Sequence, residues 1–110
     1  MKYLVIVTAD GNDADYQDRS EFIEPDQLPF VRKIAAAIKA YPERHNWTRD
    51  CDLGRGIYGD KSLKEKYANV LTEEEIEKWI DEFMPYNEYG IHTINNIQLI
   101  EVANHEELFK

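Results

Sequence analysis

The chain has 110 residues, of which 43% are hydrophobic and 32% charged, and its formal net charge at pH 7 is −9. This length suits one domain that buries roughly 65% of its unfolded-chain surface, and the hydrophobic content argues against a disordered protein. The negative charge disfavours broad binding to a nucleic-acid backbone, and the single cysteine, Cys51, excludes an internal disulfide bond.

The charge is unevenly distributed along the chain. Residues 1–26 carry 2 basic and 7 acidic side chains, residues 27–70 carry 9 and 5, and residues 71–110 carry 2 and 10. The corresponding net charges are −5, +4 and −8. The acidic ends are suited to a basic protein partner, and the basic middle is suited to one small anion.

The apolar run over residues 3–9 predicts a first strand, which should be central because it lacks polar alternation. It is too short for a signal-peptide core or a membrane span, so the expected location is cytoplasmic, without membrane contact. Residues 10–25 are predicted to be a loop, with a short extended piece at Phe22 and Ile23.

An acidic turn follows the first strand, with four carboxylates in the nine residues 10–18. Because hard cations prefer oxygen ligands, one hypothesis is a divalent cation, the only cofactor considered, bound by Asp10, Asp13 and Asp15. A twelve-residue calcium loop from Asp10 to Glu21 fails, since Ala14 and Asp15 occupy its fifth and sixth positions. The alternatives are local capping of backbone amides, or a surface for a basic partner formed by Asp13, Asp15, Asp18 and Glu21.

Three helices are predicted in the middle of the chain. The first runs from an N-cap at Asp26 to about Tyr41, with an apolar stripe at Leu28, Val31, Ile34, Ala35, Ile38 and Tyr41. Capping boxes at Ser62 and Thr72 begin the second helix, to about Val70, and the third, to about Phe83. The third has one apolar face, formed by Ile76, Trp79, Ile80 and Phe83.

The irregular stretch 42–60 is long enough to suggest a function. Its glycines at 54, 56 and 59 match G-x-G-x-x-G but lack a preceding strand, which argues against a dinucleotide fold. Basic and aromatic side chains nevertheless favour a small anionic or nucleotide-like ligand. The candidate ligand-binding residues are Arg44, His45, Trp47, Arg49, Arg55, Tyr58 and Lys61.

Residues 89–103 are predicted to return to strand structure, either as a hairpin turning at Asn95 and Asn96 or as one long strand with a bulge there. The expected fold is a two-layer α+β domain spanning residues 1–110, with a mixed or antiparallel sheet of two or three strands. About three helices should pack on one face of that sheet. The sheet edges make a homodimer reasonable.

Two stretches, Ala9–Tyr16 and Pro85–Ile94, together resemble the ends of small uncharacterised proteins associated with bacteriophages, prophages and gut bacteria. That group has no known activity, so the resemblance implies only a phage or mobile-element accessory protein. It also implies that the first strand and residues 89–94 are neighbours, with Asp13 near His92.

Catalytic patterns are weak. The spacing of Cys51 from His45, His92 and His105 does not support a thiol–imidazole pair, and neither a zinc motif nor a nucleophile elbow occurs. The sequence therefore favours a non-enzymatic binding protein that acts through an acidic surface. A ligand-binding protein using residues 44–61, or a metal-dependent protein centred on the acidic turn, are the alternatives.

Overall fold

The first strand lies at the centre of a three-stranded antiparallel sheet with the order β2-β1-β3. The computed structural model describes residues 2–10, 16–41, 44, 47, 62–85 and 93–102. In chain order the elements are β1 (Lys2–Asp10), β2 (Tyr16–Ile23), a 3₁₀ turn (Pro25–Gln27), α1 (Leu28–Ala40), α2 (Leu63–Lys66), α3 (Glu73–Phe83) and β3 (Thr93–Val102). The predicted α+β class and the central position of the first strand are confirmed.

One face of the sheet packs against the core and the other is open. Val5, Val7 and Ala9 of β1 are at most 1% exposed, and they alternate with half-buried residues on the other face. On that open face, Leu4 lies directly between Phe22 of β2 and Ile100 of β3, which are 63% and 42% exposed. The helices therefore cover a single face, as a two-layer architecture requires.

The strand β2 was not predicted at its full length. The sequence analysis placed only Phe22 and Ile23 in an extended piece, whereas β2 begins at Tyr16. Five of its eight residues are polar, which hides it from a hydrophobic pattern, because β2 is an edge strand and Arg19 and Glu21 form an ion pair beside α3. The acidic stretch 10–18 therefore joins two paired strands, and only residues 11–15 lie between them.

Helix α1 begins one residue later than predicted. Gln27, not Asp26, is its N-cap, and Asp26 lies in the preceding 3₁₀ turn. The buried side of α1 is formed by Leu28, Val31, Ile34, Ala37 and Ile38. Ala37 takes the buried place predicted for Ala35, and Tyr41 is 51% exposed beyond the helix end.

The predicted capping box at Thr72 is confirmed, and at Ser62 the structure shows the side-chain half of the predicted box. Ser62 Oγ accepts the Glu65 N–H, although α2 ends at Lys66 rather than near Val70. In α3, Thr72 Oγ1 accepts the Glu75 N–H and Glu75 Oε1 accepts the Thr72 N–H. The predicted apolar face of α3, including Trp79 and Phe83, is buried as expected. Within the described ranges, no helix has both the length and the apolarity to cross a bilayer.

The last strand is continuous, so the bulge alternative is the correct one. Pairing with β1 shifts between Thr8 and Ala9, where Thr8 lies opposite Asn96 and Ala9 opposite Ile94. Asn95 is the extra residue that this shift leaves on β3. The first strand was predicted to lie beside residues 89–94. Of these, the described residues Thr93 and Ile94 pair with β1, and residues 89–92 lie outside the described part of the chain.

The start of α3 is held to α1 by an ion pair. Lys33 Nζ lies 2.7 Å from Glu75 Oε2, and the side chains are 50% and 21% exposed. The hydrogen bond from Lys33 holds the pKa of Glu75 below its ordinary value, assisted by the capping bonds from Thr72 and opposed by partial burial. The carboxylate thus stabilises both a helix start and a contact between two helices.

Replacing Glu75 with Gln should keep the capping acceptor and remove the charge that pairs with Lys33. We expect a loss of less than about 1 kcal/mol in unfolding free energy at neutral pH, because water screens a pair this exposed. Since folding lowers the pKa of Glu75, this contribution should be complete above the unfolded-state pKa of about 4.3 and disappear as pH falls through the folded-state value. Urea unfolding of wild type and E75Q across this range measures it.

The control is E74Q, which changes an exposed carboxylate in the same helical turn. A difference between E75Q and E74Q that persists unchanged at acidic pH would contradict the ionic origin of the contribution.

Candidate functional site

A groove with a mainly acidic lining lies between β2, the 3₁₀ turn and the C-terminal end of α3. Its volume is about 480 Å³. Among the described residues that line it, Arg19 is the only basic one, and five are acidic: Glu21, Glu24, Asp26, Asp81 and Glu82. We call this feature the acidic groove.

Arg19 joins β2 to the C-terminal end of α3 through hydrogen bonds. Its Nη1 donates to the carbonyl oxygens of Asp81 and Met84, both at 3.0 Å. Its Nε donates to Glu21 Oε1 at 2.8 Å. Because these contacts use a guanidinium to cap carbonyls at a helix end, Arg19 fixes the distance between the two walls of the groove.

The acidic wall formed by α3 opposes the helix dipole. Helix C-termini carry partial negative charge and favour basic residues, yet the last turn of α3 contains Asp81 and Glu82 and no basic residue. Such a local conflict is expected where function, rather than stability, selects the residues. Phe22 also borders the groove, but it lies opposite Leu4 on the open face of the sheet, where it is 63% exposed.

A second hollow continues from the groove on the other side of Arg19. It has a volume of about 360 Å³ and is lined by Gln17, Asp18, Arg19 and Pro85. Gln17 Oε1 is buried there and has no hydrogen-bond donor among the residues that the structure describes. A buried acceptor without a donor costs about 1–3 kcal/mol. The two hollows together therefore present acceptors to whatever enters them.

The structure separates the residues predicted for a partner surface. Glu21 lines the acidic groove and Asp18 the adjoining hollow, on opposite faces of β2. Asp13 and Asp15 lie outside the described residues. Glu24, Asp81 and Glu82 were not among the predicted site residues. Asp81 and Glu82 could have been chosen, because acidic residues at the end of a predicted helix are unusual.

Of the three residues predicted to bind a metal ion, only Asp10 lies within the described part of the chain. Asp10 ends β1 opposite Tyr16, whereas Glu21 is five residues further along β2, a distance of roughly 17 Å at the usual rise per residue. Asp10 and Glu21 therefore cannot close one calcium loop, in agreement with the failed motif. Among the described residues, no group of three His, Cys, Asp or Glu side chains is arranged to hold a metal ion.

The predicted ligand-binding stretch is described at two positions. Trp47 is completely buried and packs against Tyr67, with ring centroids 5.6 Å apart, so it exposes no ring face on which a ligand could stack. Arg44 is exposed, and its carbonyl accepts the N–H of Ile94 at 2.8 Å. The other candidates, His45, Arg49, Arg55, Tyr58 and Lys61, lie outside the described residues, as do Cys51, His92 and His105.

Comparison with known proteins adds no relative. No family model, curated protein or solved structure matches this chain. Functional inference therefore depends on the geometry and charge of the acidic groove itself.

Replacing Arg19 with Lys should loosen the end of α3, because an ammonium on a flexible stem does not reproduce the fixed fork of a guanidinium. We expect a loss of about 1–2 kcal/mol in unfolding free energy, and faster amide hydrogen exchange at Phe83 and Met84. The matched control is R32K on the exposed side of α1, which should change neither quantity. Equal effects of the two substitutions would show that Arg19 does not anchor α3.

Proposed function

We propose that this protein is a non-enzymatic binding domain that receives a basic segment of a partner protein in the acidic groove. The observation that carries the proposal is the composition of the groove, where five carboxylates surround one guanidinium. That guanidinium is already occupied by Glu21 and by the end of α3. A lysine or arginine from a partner would add the positive charge that this surface lacks.

The partner segment should also carry an apolar side chain. Phe22 lies at the edge of the groove, on the open face of β2, with most of its surface exposed, and aromatic side chains beside polar groups are typical of protein interfaces. The buried acceptor of Gln17 favours an additional donor, which a guanidinium or a backbone N–H would supply. These features favour a peptide over a simple inorganic cation.

The charge of the whole chain supports the same class of partner. At −9, the protein attracts basic surfaces over a Debye length of about 8 Å at physiological ionic strength. Competition with nucleic acid for a basic protein is one role that suits such a surface, and it agrees with the phage or mobile-element origin implied by the chain ends. That origin stays a prediction.

A charge-matched pair of double variants tests the groove. The probe is a fluorescein-labelled peptide, acetyl-Lys-Leu-Arg-Lys-amide, whose binding is followed by anisotropy. We expect E24Q/E82Q, which changes the groove, to weaken binding by about threefold to tenfold, since each exposed ion pair contributes about 0.2–1 kcal/mol. The control E74Q/E77Q has the same net charge but changes exposed carboxylates of α3 outside the groove lining.

Three results would refute the groove as the binding site. These are no saturable binding of the peptide by wild type, equal weakening by the two double variants, or equal binding of the acidic peptide acetyl-Glu-Leu-Asp-Glu-amide. Raising the salt concentration should weaken binding to wild type more steeply than to E24Q/E82Q.

The apolar anchor is tested by replacing Phe22 with Thr, which preserves strand propensity and removes the exposed ring. Binding of the basic peptide should weaken by about fivefold or more, since anchor side chains contribute above about 1 kcal/mol. The control is I100T, because Ile100 flanks Leu4 on the same sheet face but at the opposite edge. If I100T weakens binding as much as F22T, the exposed apolar face in general, and not the groove, holds the peptide.

A further inference from the structure

A second cavity lies at the other edge of the sheet, between α1 and β3. Its volume is about 320 Å³, near the lower end of the range for small-molecule sites. Its floor is apolar and includes Ile38 of α1 and Ile94 of β3, which are 4% and 3% exposed, with Ile97 beside them. It shares no lining residue with the acidic groove.

The bulge in β3 shapes the rim of this cavity. In a regular strand, neighbouring side chains point to opposite faces of the sheet. Here Ile94 and Ile97 lie opposite Ala9 and Val7 on the core face although they are three residues apart, because the extra residue breaks the alternation. Asn95 and Asn96 lie between them at the rim of the cavity; both are exposed, and Asn96 is paired with Thr8 of the open face.

Among the described residues that line the cavity, the two charged ones are both basic. Lys39 comes from the last turn of α1, and Arg44 is held in place by the hydrogen bond from Ile94 N–H to its carbonyl. No carboxylate occurs among the described residues that line the cavity. In a protein with 22 acidic and 13 basic residues, two cations and no carboxylate among the described lining residues favour a negatively charged ligand.

We infer that this cavity binds a small organic anion, whose phosphate or carboxylate contacts Lys39 and Arg44 and whose short apolar group lies on the isoleucine floor. The exposed amide of the bulge residue Asn95 supplies a further donor to the anionic oxygens. The volume accommodates one charged group with a few carbon atoms, which makes a phosphate monoester or a short-chain carboxylate the expected class. The inference is independent of the acidic groove.

Titration by two-dimensional amide NMR tests this assignment, with n-butyl phosphate as the probe. We expect saturable shifts of the Asn95, Asn96 and Ile97 resonances, weaker binding of inorganic phosphate, and none of n-butanol. K39Q and R44Q should each weaken binding of butyl phosphate by about threefold to tenfold. The control R32Q removes an equal charge from the exposed side of α1 outside the cavity lining and should bind as wild type does.

The possible results separate the parts of the assignment. Shifts that fail to saturate, or equal weakening by R32Q, would overturn the site. Equal affinity for inorganic phosphate would overturn the role of the apolar floor, and equal affinity for n-butanol would overturn the role of the two cations. Lys39 also neutralises the end of α1, so thermal unfolding of each variant is recorded; a stability loss in K39Q with unchanged affinity would assign Lys39 to the helix alone.

Discussion

The pairing of β1 with both other strands is the constraint on which the rest of the structure depends. Because β1 pairs with both other described strands, its register determines which residues of both neighbours lie on the core face. Val5, Val7 and Ala9 turn their side chains toward the helices, and Arg19 and Glu21 of β2 therefore lie beside α3. A shift of one residue would place both charged groups on the open face.

This arrangement also separates the two candidate binding surfaces. The acidic groove lies at the β2 edge of the sheet. The cavity between α1 and β3 lies at the opposite edge, with the width of the sheet between the two. The groove carboxylates come from the two acidic ends of the chain, and Lys39 and Arg44 come from its basic middle, so the segregation of charge along the sequence is kept in space. This is how a chain with a net charge of −9 can present two cations at one edge of its sheet.

Elements with a strong local pattern were predictable, and those defined by their neighbours were not. The start of α3 and its buried face follow from the capping box of Thr72 and Glu75 and from a regular apolar spacing, which are properties of one segment. The strand β2 is mostly polar and is stabilised by pairing with β1, information that its own residues do not contain. The bulge was foreseen only as one alternative, because Asn95 and Asn96 suit a turn as well as a bulge.

The candidate site shows the same division. Glu21 was selected from its place in an acidic stretch, but its neighbours in the groove, Asp81 and Glu82, are about sixty residues away in sequence. Conversely, Trp47 was predicted to bind a ligand because its aromatic ring lies in a basic stretch, but the ring is buried in the hydrophobic core. The sequence shows which segments are acidic. The contact between β2 and α3 determines which of their acidic side chains line the same groove.

The dual role of Glu21 has a thermodynamic consequence. Its carboxylate holds the guanidinium that anchors the end of α3, and it also lines the surface where a basic ligand would arrive. A ligand cation that takes Glu21 from Arg19 therefore competes with an internal cation, and occupancy of the groove is linked to the docking of the helix end. Linkage is reciprocal. The free energy by which ligand binding weakens the docking of α3 must therefore equal the free energy by which docking of α3 weakens ligand binding.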